Sequence, residues 1–92
     1  MLLKDKLAQF NQSGHAILAA NFYNFETLTG ILNAVGDTSQ DIILQVSEGT
    51  IQYLGLEMTV EMVRAALKQH EICGWLHLDH GSSIELVQQC LD

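Results

Sequence analysis

Apolar residues in this chain follow two patterns, one with helical spacing and one of short continuous runs. Leu3, Leu7 and Phe10 recur at helical spacing and predict a leading helix over residues 1–14. A continuous apolar run at residues 15–22 follows, with the length and composition of a buried strand. The chain is therefore predicted to begin with a helix followed by a strand.

A strand followed by a helix occurs three times along the sequence. The predicted βα units cover residues 15–37, 42–70 and 73–92. Strand starts about 30 residues apart match the length of a βαβ repeat, which predicts a parallel three-stranded sheet with right-handed crossovers. No proline divides the chain, so residues 1–92 are predicted to form one domain. A small doubly wound sheet and a segment of a (β/α)₈ barrel both fit this pattern.

The periodicity also predicts which side of each helix faces the sheet. Residues 47–50 are expected to form a loop, residues 51–55 a short extra turn, and residues 59–69 the helix of the second unit. Ser82 and Glu85 have capping-box spacing and predict the start of the last helix. The predicted inner faces are Leu28, Ile31, Leu32 and Val35, then Val60, Val63 and Leu67, then Ile84, Val87 and Leu91.

Composition and charge narrow the class of protein. Of its 92 residues, 48% are hydrophobic and 16% charged, which is too apolar for a disordered chain. The formal net charge of −7 repels phosphate backbones and anionic lipid surfaces, so neither nucleic acid nor a membrane is expected as a partner. No segment reaches the roughly 18 apolar residues of a membrane span, and a cytoplasmic location is expected.

Cys73 and Cys90 lack metal or disulfide spacing and are predicted to be buried or partly buried free thiols.

Polar residues cluster where each predicted strand ends. They are Asn21 after the first strand, Ser47 and Glu48 after the second, and His77, Asp79 and His80 at the third. Parallel α/β proteins bind ligands at this edge of the sheet. Strand ends also become polar because the chain emerges into water, and this is the simpler interpretation of Asn21 or Ser47 taken alone.

Asp79 and His80 carry the strongest chemical signal in the sequence. A carboxylate can act as an acid/base, and an imidazole can act as a metal ligand. Adjacent residues of a strand point to opposite faces, so both side chains reach one site only if the backbone turns, and Gly81 makes that turn easier. His77 shares the strand face of Asp79, where it can support that carboxylate or simply pack. One convincing histidine is a weak metal signal, because zinc normally takes three or four protein ligands. These residues alone leave a functional site and a structural role equally open.

Taken in order, the three strand ends resemble one family. The segments are Ala20–Glu26, Ile43–Gly49 and Leu76–Ser83. Together they are similar to the N-terminal part of the class II, zinc-dependent ketose-bisphosphate aldolases, which act on fructose or tagatose bisphosphate. The resemblance covers nearly all of the chain. It implies an α/β fold in which the chain is the N-terminal βαβαβα segment of a TIM (β/α)₈ barrel, preceded by a short helix.

The resemblance also implies roles for individual residues. Asp79 would be the catalytic acid/base at the C4 hydroxyl of the substrate, and His80 one of three histidines on a catalytic zinc. Asn21 and Ser47 match positions near the substrate. The implied activity is that of an aldehyde-lyase, the reversible retro-aldol cleavage of fructose (or tagatose) 1,6-bisphosphate to dihydroxyacetone phosphate and glyceraldehyde 3-phosphate.

The family's two other zinc histidines and its glycine-rich phosphate loop have no counterpart in residues 1–92. The first expectation is therefore an incomplete aldolase chain that is inactive alone and self-associates through an open sheet edge. The alternative is a non-catalytic interaction module, or a half-barrel that assembles with a complementary chain. A free-standing doubly wound binding domain is a third possibility.

Overall fold

The computed structural model describes residues 1–38 and 40–91. Helices and strands alternate as the sequence pattern predicts, except that two helices lie between the second and third strands. In chain order they are α1 (Leu3–Ser13), β1 (Leu18–Asn21), α2 (Phe25–Thr38), β2 (Ile42–Ser47), α3 (Glu48–Leu54), α4 (Leu56–His70), β3 (Gly74–Asp79) and α5 (Ile84–Leu91). In the described part of the chain the three strands form one parallel sheet in the order β1-β2-β3. The predicted parallel three-stranded sheet is confirmed.

The central strand β2 has two different faces. Ile42, Leu44 and Val46 are buried on one face, while the intervening side chains on the other face are only partly buried. Each fully buried aliphatic side chain contributes about 1.5–3 kcal/mol relative to an exposed one. The buried face of β2 therefore anchors the sheet to the helices.

Helices α2 and α4 cover that face of the sheet. Their buried residues are Leu28, Leu32 and Val35 from α2, and Thr59, Val63 and Ala66 from α4. The inner face predicted for α2 is confirmed, with Ile31 partly buried beside it. On α4, Val63 is buried as predicted, but Val60 and Leu67 are only partly buried. Thr59 tolerates full burial because its hydroxyl donates a 2.7 Å hydrogen bond to the carbonyl oxygen of Gly55.

Helix α1 closes the end of the sheet opposite to the strands' carboxyl ends. Lys6 Nζ lies 2.9 Å from Asp41 Oδ2, immediately before β2. The indole nitrogen of Trp75, near the start of β3, donates to the carbonyl oxygen of Met1 at 3.1 Å. Both contacts involve the amino ends of strands, which leaves the carboxyl edge uncovered by α1.

Two local predictions are wrong. Residues 48–54 form helix α3 instead of beginning with a loop, because Ser47 caps it by accepting a hydrogen bond from the Thr50 amide. Helix α5 is capped by Ser83 and not by Ser82, since the Leu86 amide donates to Ser83 Oγ at 3.1 Å.

The inner face predicted for α5 is also wrong. Ile84 and Leu91 are 84% and 82% exposed and Val87 is exposed as well, whereas Cys90 is partly buried and packs against the core. Helix α5 lies beside β3, an edge strand in the described part of the chain, so only one flank of the helix meets the core. Cys73 is exposed, contrary to the prediction, and both cysteines are free thiols as predicted.

Within residues 1–38 and 40–91, no helix combines the length and apolar character that crossing a bilayer requires.

Candidate active site

Polar side chains from all three strands lie together on the face of the sheet that is not covered by α2 and α4. The register aligns Asn21 with Gln45 and Gln45 with His77, and it aligns Ser47 with Asp79. Alternate residues of a strand point to the same side, so these five side chains share one face near its carboxyl edge. Four residues predicted from the sequence therefore lie on one surface: Asn21, Ser47, His77 and Asp79.

Asn21 and Asp79 are joined directly. The amide nitrogen of Asn21 donates to Asp79 Oδ2 at 3.0 Å, and the two residues lie 58 positions apart in the sequence. The bond spans the sheet from β1 to β3, although these strands are not paired with each other. It fixes the orientation of a carboxyl group that is 33% exposed and leaves Oδ1 free of that contact. A half-buried carboxylate with one held oxygen is well suited to proton transfer at the other.

His80 follows β3 in an unusual backbone conformation. Its φ of 67° lies in the left-handed region, which costs a non-glycine residue about 1–3 kcal/mol. This bend brings His80 Nε2 to 3.6 Å from Asp79 Oδ1, while the imidazole stays 96% exposed. The turn occurs at His80 itself, one residue before the glycine that was expected to ease it. The structure thus brings the two predicted site residues together on the side of Asp79 that Asn21 leaves open.

Gly81 is closely packed, and its φ lies outside the left-handed region. A Cβ at this position would lie 3.2 Å from Leu78 Cδ2 and 3.3 Å from Val87 Cγ2. Both distances are tighter than ordinary van der Waals contact. The absence of a side chain lets the backbone after His80 pass against β3 and α5.

Ser47 and His77 are engaged in other contacts. The Ser47 hydroxyl lies 3.2 Å from Thr50 Oγ1 and accepts the Thr50 amide, so it stabilises the start of α3. His77 Nδ1 lies 3.1 Å from Gln45 Nε2, on the neighbouring strand. The hydrogen bond of His77 therefore runs to Gln45, and the carboxylate of Asp79 is oriented by Asn21 instead.

Sequence reasoning missed two participants at this edge. Gln45 is a polar residue inside the apolar strand β2, a signal that marks it as facing away from the core. Ser82 donates from its hydroxyl to Glu48 Oε1 at 2.6 Å and links two βα units. Glu48 stands out in the sequence because it directly follows a predicted strand, and Ser82 stands out as a helix cap but not as a partner of Glu48.

The described residues do not by themselves form a metal site. Residues 1–38 and 40–91 contain no group of three or more His, Cys, Asp or Glu side chains arranged to hold an ion. A catalytic zinc takes three protein ligands. The exposed imidazole of His80 fits one position of such a site, and the other positions are not filled by these residues.

Sequence comparisons relate the chain to aldolases. The family model described as fructose-bisphosphate aldolase class-II matches residues 2–92. Curated relatives named fructose-bisphosphate aldolase include those of Helicobacter pylori (strain ATCC 700392 / 26695), 35% identical over 94 residues, and Treponema pallidum (strain Nichols), 38% identical over 94 residues. These alignments cover 99% and 97% of this chain but 31% and 28% of the relatives. The chain thus spans less than a third of the length of either relative.

Comparison with solved structures gives the same result for the fold. The crystal structure of the YdjI aldolase from Escherichia coli K12 matches with a TM-score of 0.85 and 20% sequence identity. The match covers 99% of this chain and 36% of the YdjI chain. The predicted fold class, an α/β segment of a (β/α)₈ barrel, is confirmed.

Proposed function

Because this chain belongs to the class II fructose-bisphosphate aldolase family, we propose that it forms the N-terminal βαβαβα segment of an aldolase. The proposed reaction is the reversible cleavage of fructose (or tagatose) 1,6-bisphosphate to dihydroxyacetone phosphate and glyceraldehyde 3-phosphate. The observation that carries the proposal is the hydrogen bond from Asn21 to Asp79. It places an oriented carboxylate at the edge of the sheet where barrel enzymes keep their chemistry.

Asp79 is the acid/base of this proposal. In the cleavage direction its Oδ1 takes the proton of the substrate C4 hydroxyl while the C3–C4 bond breaks. C4 becomes the aldehyde carbon, and the electron pair of the broken bond remains at C3 of the other half, which becomes dihydroxyacetone phosphate when C3 takes up a proton. The net reaction moves one proton from the C4 hydroxyl to C3. In the condensation direction Asp79 returns the proton. Asn21 keeps Oδ2 occupied, so a single oxygen faces the substrate.

Ser47 and His80 are proposed to bind the substrate and the metal, respectively. Ser47 lies at the register position of Asp79 and on the same face, where its hydroxyl can reach a bound sugar phosphate. His80 is proposed as one of the zinc ligands, beside Asp79. Zinc, when bound, would supply Lewis-acid polarisation of the substrate ketone. Because the described residues do not complete that site, we propose that residues 1–92 alone do not cleave the bisphosphate.

The proposed partner of this segment is the remainder of the barrel. Leu18 at the edge strand β1 is exposed, and so are Ile84 and Leu91 on α5 beside the opposite edge. A parallel sheet is normally covered on both faces, and exposed apolar edges of this kind promote association. We propose that strands from the rest of the barrel cover these edges and that the isolated chain self-associates through them. A non-catalytic interaction module, the alternative function, would use the same surfaces.

A chimeric enzyme tests the proposed activity. Residues 1–92 replace the aligned segment of the Helicobacter pylori relative, and cleavage of fructose 1,6-bisphosphate is measured for the chimera and for the 92-residue chain. We expect activity in the chimera and none in the chain alone. A folded chimera without activity would contradict the proposed function, and cleavage by the chain alone would contradict the proposed dependence on further residues.

A further inference from the structure

The short segment His80–Ser83, called here the His80 loop, connects β3 to α5, and all four of its residues are exposed. The imidazole of His80 projects into solvent, and the backbone of His80 has the left-handed φ of 67°. Residues in such sparsely populated conformations persist only where the surrounding structure holds them. The conformation of His80 therefore depends on the contacts that hold this loop in place.

Glu48 supplies a restraint from the preceding βα unit. Its Oε1 accepts the Ser82 hydroxyl at 2.6 Å, within the range of a short, charge-assisted hydrogen bond between a hydroxyl and a carboxylate. Glu48 is the first residue of α3 and is partly buried. Because Ser47 caps this helix, the backbone that carries Glu48 is itself fixed.

The other side-chain contacts of the loop are local. Ser83 Oγ accepts the Leu86 amide at the start of α5, and His80 Nε2 lies 3.6 Å from Oδ1 of the adjacent Asp79. Among the side-chain hydrogen bonds of residues 1–38 and 40–91, the bond to Glu48 is the one that ties the loop to another βα unit. It runs from the carboxyl end of β2 to the residue two positions after His80.

We infer that Glu48 is a positioning residue that acts through Ser82 to hold His80 beside Asp79. The inference rests on the proposed function, since the orientation of His80 matters to the reaction only if His80 and Asp79 share one site. Glu48 is assigned no acid/base or metal-binding role. Its carboxylate is engaged by Ser82, and its effect reaches the site through the backbone of the loop.

Backbone order in the 92-residue chain provides the first test. Nitrogen-15 relaxation of the amides at 80–82 should give order parameters near 0.85 in the wild type and below about 0.6 in Glu48→Ala and in Ser82→Ala. Ser82→Thr keeps a hydroxyl donor and should retain the order. Glu57→Ala is the matched control, because it also removes an acidic side chain from the first turn of a helix. Unchanged order in both alanine variants would overturn the inference.

A double-mutant cycle in the chimeric aldolase provides the second test. Glu48→Ala and Ser82→Ala should each lower kcat about tenfold with little change in KM, as is typical for residues that orient a site. The double variant should lose no more than either single variant, because both remove the same contact. A raised KM for Glu48→Ala, or losses that multiply in the double variant, would show that Glu48 acts separately from Ser82.

The two proposals fail in different ways. An inactive wild-type chimera would contradict the proposed aldolase function, while the relaxation measurement would still decide whether Glu48 holds the loop. An active chimera whose kcat is unaffected by Glu48→Ala would leave the aldolase function standing and overturn the role of Glu48.

Discussion

Asn21 at the end of β1 donates a hydrogen bond to Asp79 at the end of β3, over a distance of 3.0 Å and across the central strand. Each residue stands out in the sequence as a polar residue at a strand end. Their contact converts two separate signals into one arrangement, a carboxylate with one oxygen held and the other facing His80.

Removal of the amide donor should impair the chemical step. In the chimeric aldolase, Asn21→Ala is expected to lower kcat about 10- to 100-fold, with a smaller effect on KM, because the Asp79 carboxylate loses its orientation. Asn11→Ala, at an exposed position of α1, is the control and should leave both constants unchanged. If Asn21→Ala raised KM and spared kcat, the residue would be a substrate contact and not a positioning group for Asp79.

Close packing at the start of β3 should make Gly74 intolerant of a side chain. A Cβ there would lie 2.8 Å from Leu67 Cδ2 and 3.1 Å from the carbonyl oxygen of Ile42. Gly74→Ala is therefore expected to reduce the free energy of unfolding by about 1–3 kcal/mol. The loss of stability is measured as a lower urea concentration at the midpoint of unfolding of the 92-residue chain.

Gly36→Ala is the matched control for Gly74→Ala. The nearest atom to a Cβ at Gly36 is Ile72 Cδ1 at 4.0 Å, and the residue lies inside α2. Alanine favours helix over glycine by about 0.5–1 kcal/mol, so this variant should be neutral or more stable. Equal losses at the two glycines would refute the packing argument.

The exposed apolar flank of α5 should drive association of the isolated chain. Ile84→Lys and Leu91→Lys are expected to shift sedimentation profiles towards the monomer, because they place charge on a surface that the rest of the barrel would cover. Tyr53→Lys alters an equally exposed side chain on α3 and should leave the profile unchanged. The same shift in all three variants would indicate an effect of net charge and not of the α5 surface.

Much of the fold follows from local patterns. The β-branched, mostly apolar segment of β2 and the helical spacing of Leu28, Leu32 and Val35 predict a strand and a helix with a buried face, and the structure has both. Helix α5 was predicted with the wrong inner face. Ile84 and the other exposed apolar residues of α5 have the spacing of a core-facing helix. Periodicity alone does not show which apolar surface of a helix the rest of the domain covers.

Some residues of the candidate site stand out in the sequence, but their contacts do not. Asp79, His80 and Asn21 were marked by residue type and by position at strand ends. The partners of His77 and Ser82 depend on strand register and on the first residue of α3, which are set by long-range packing. Local sequence does not encode that Gln45 faces His77, or that Glu48 reaches the His80 loop.

The central claim is that Asp79 is the proton-transfer group of an aldolase site. Its most direct test is the rate of fructose 1,6-bisphosphate cleavage by the chimera with Asp79→Asn, compared with Asp37→Asn at an exposed position of α2. Loss of a general acid/base lowers rates by about 10²- to 10⁴-fold, so we expect a fall in kcat of at least 100-fold for Asp79→Asn and wild-type kcat for Asp37→Asn. A kcat for Asp79→Asn within a few-fold of the wild type would contradict the assignment.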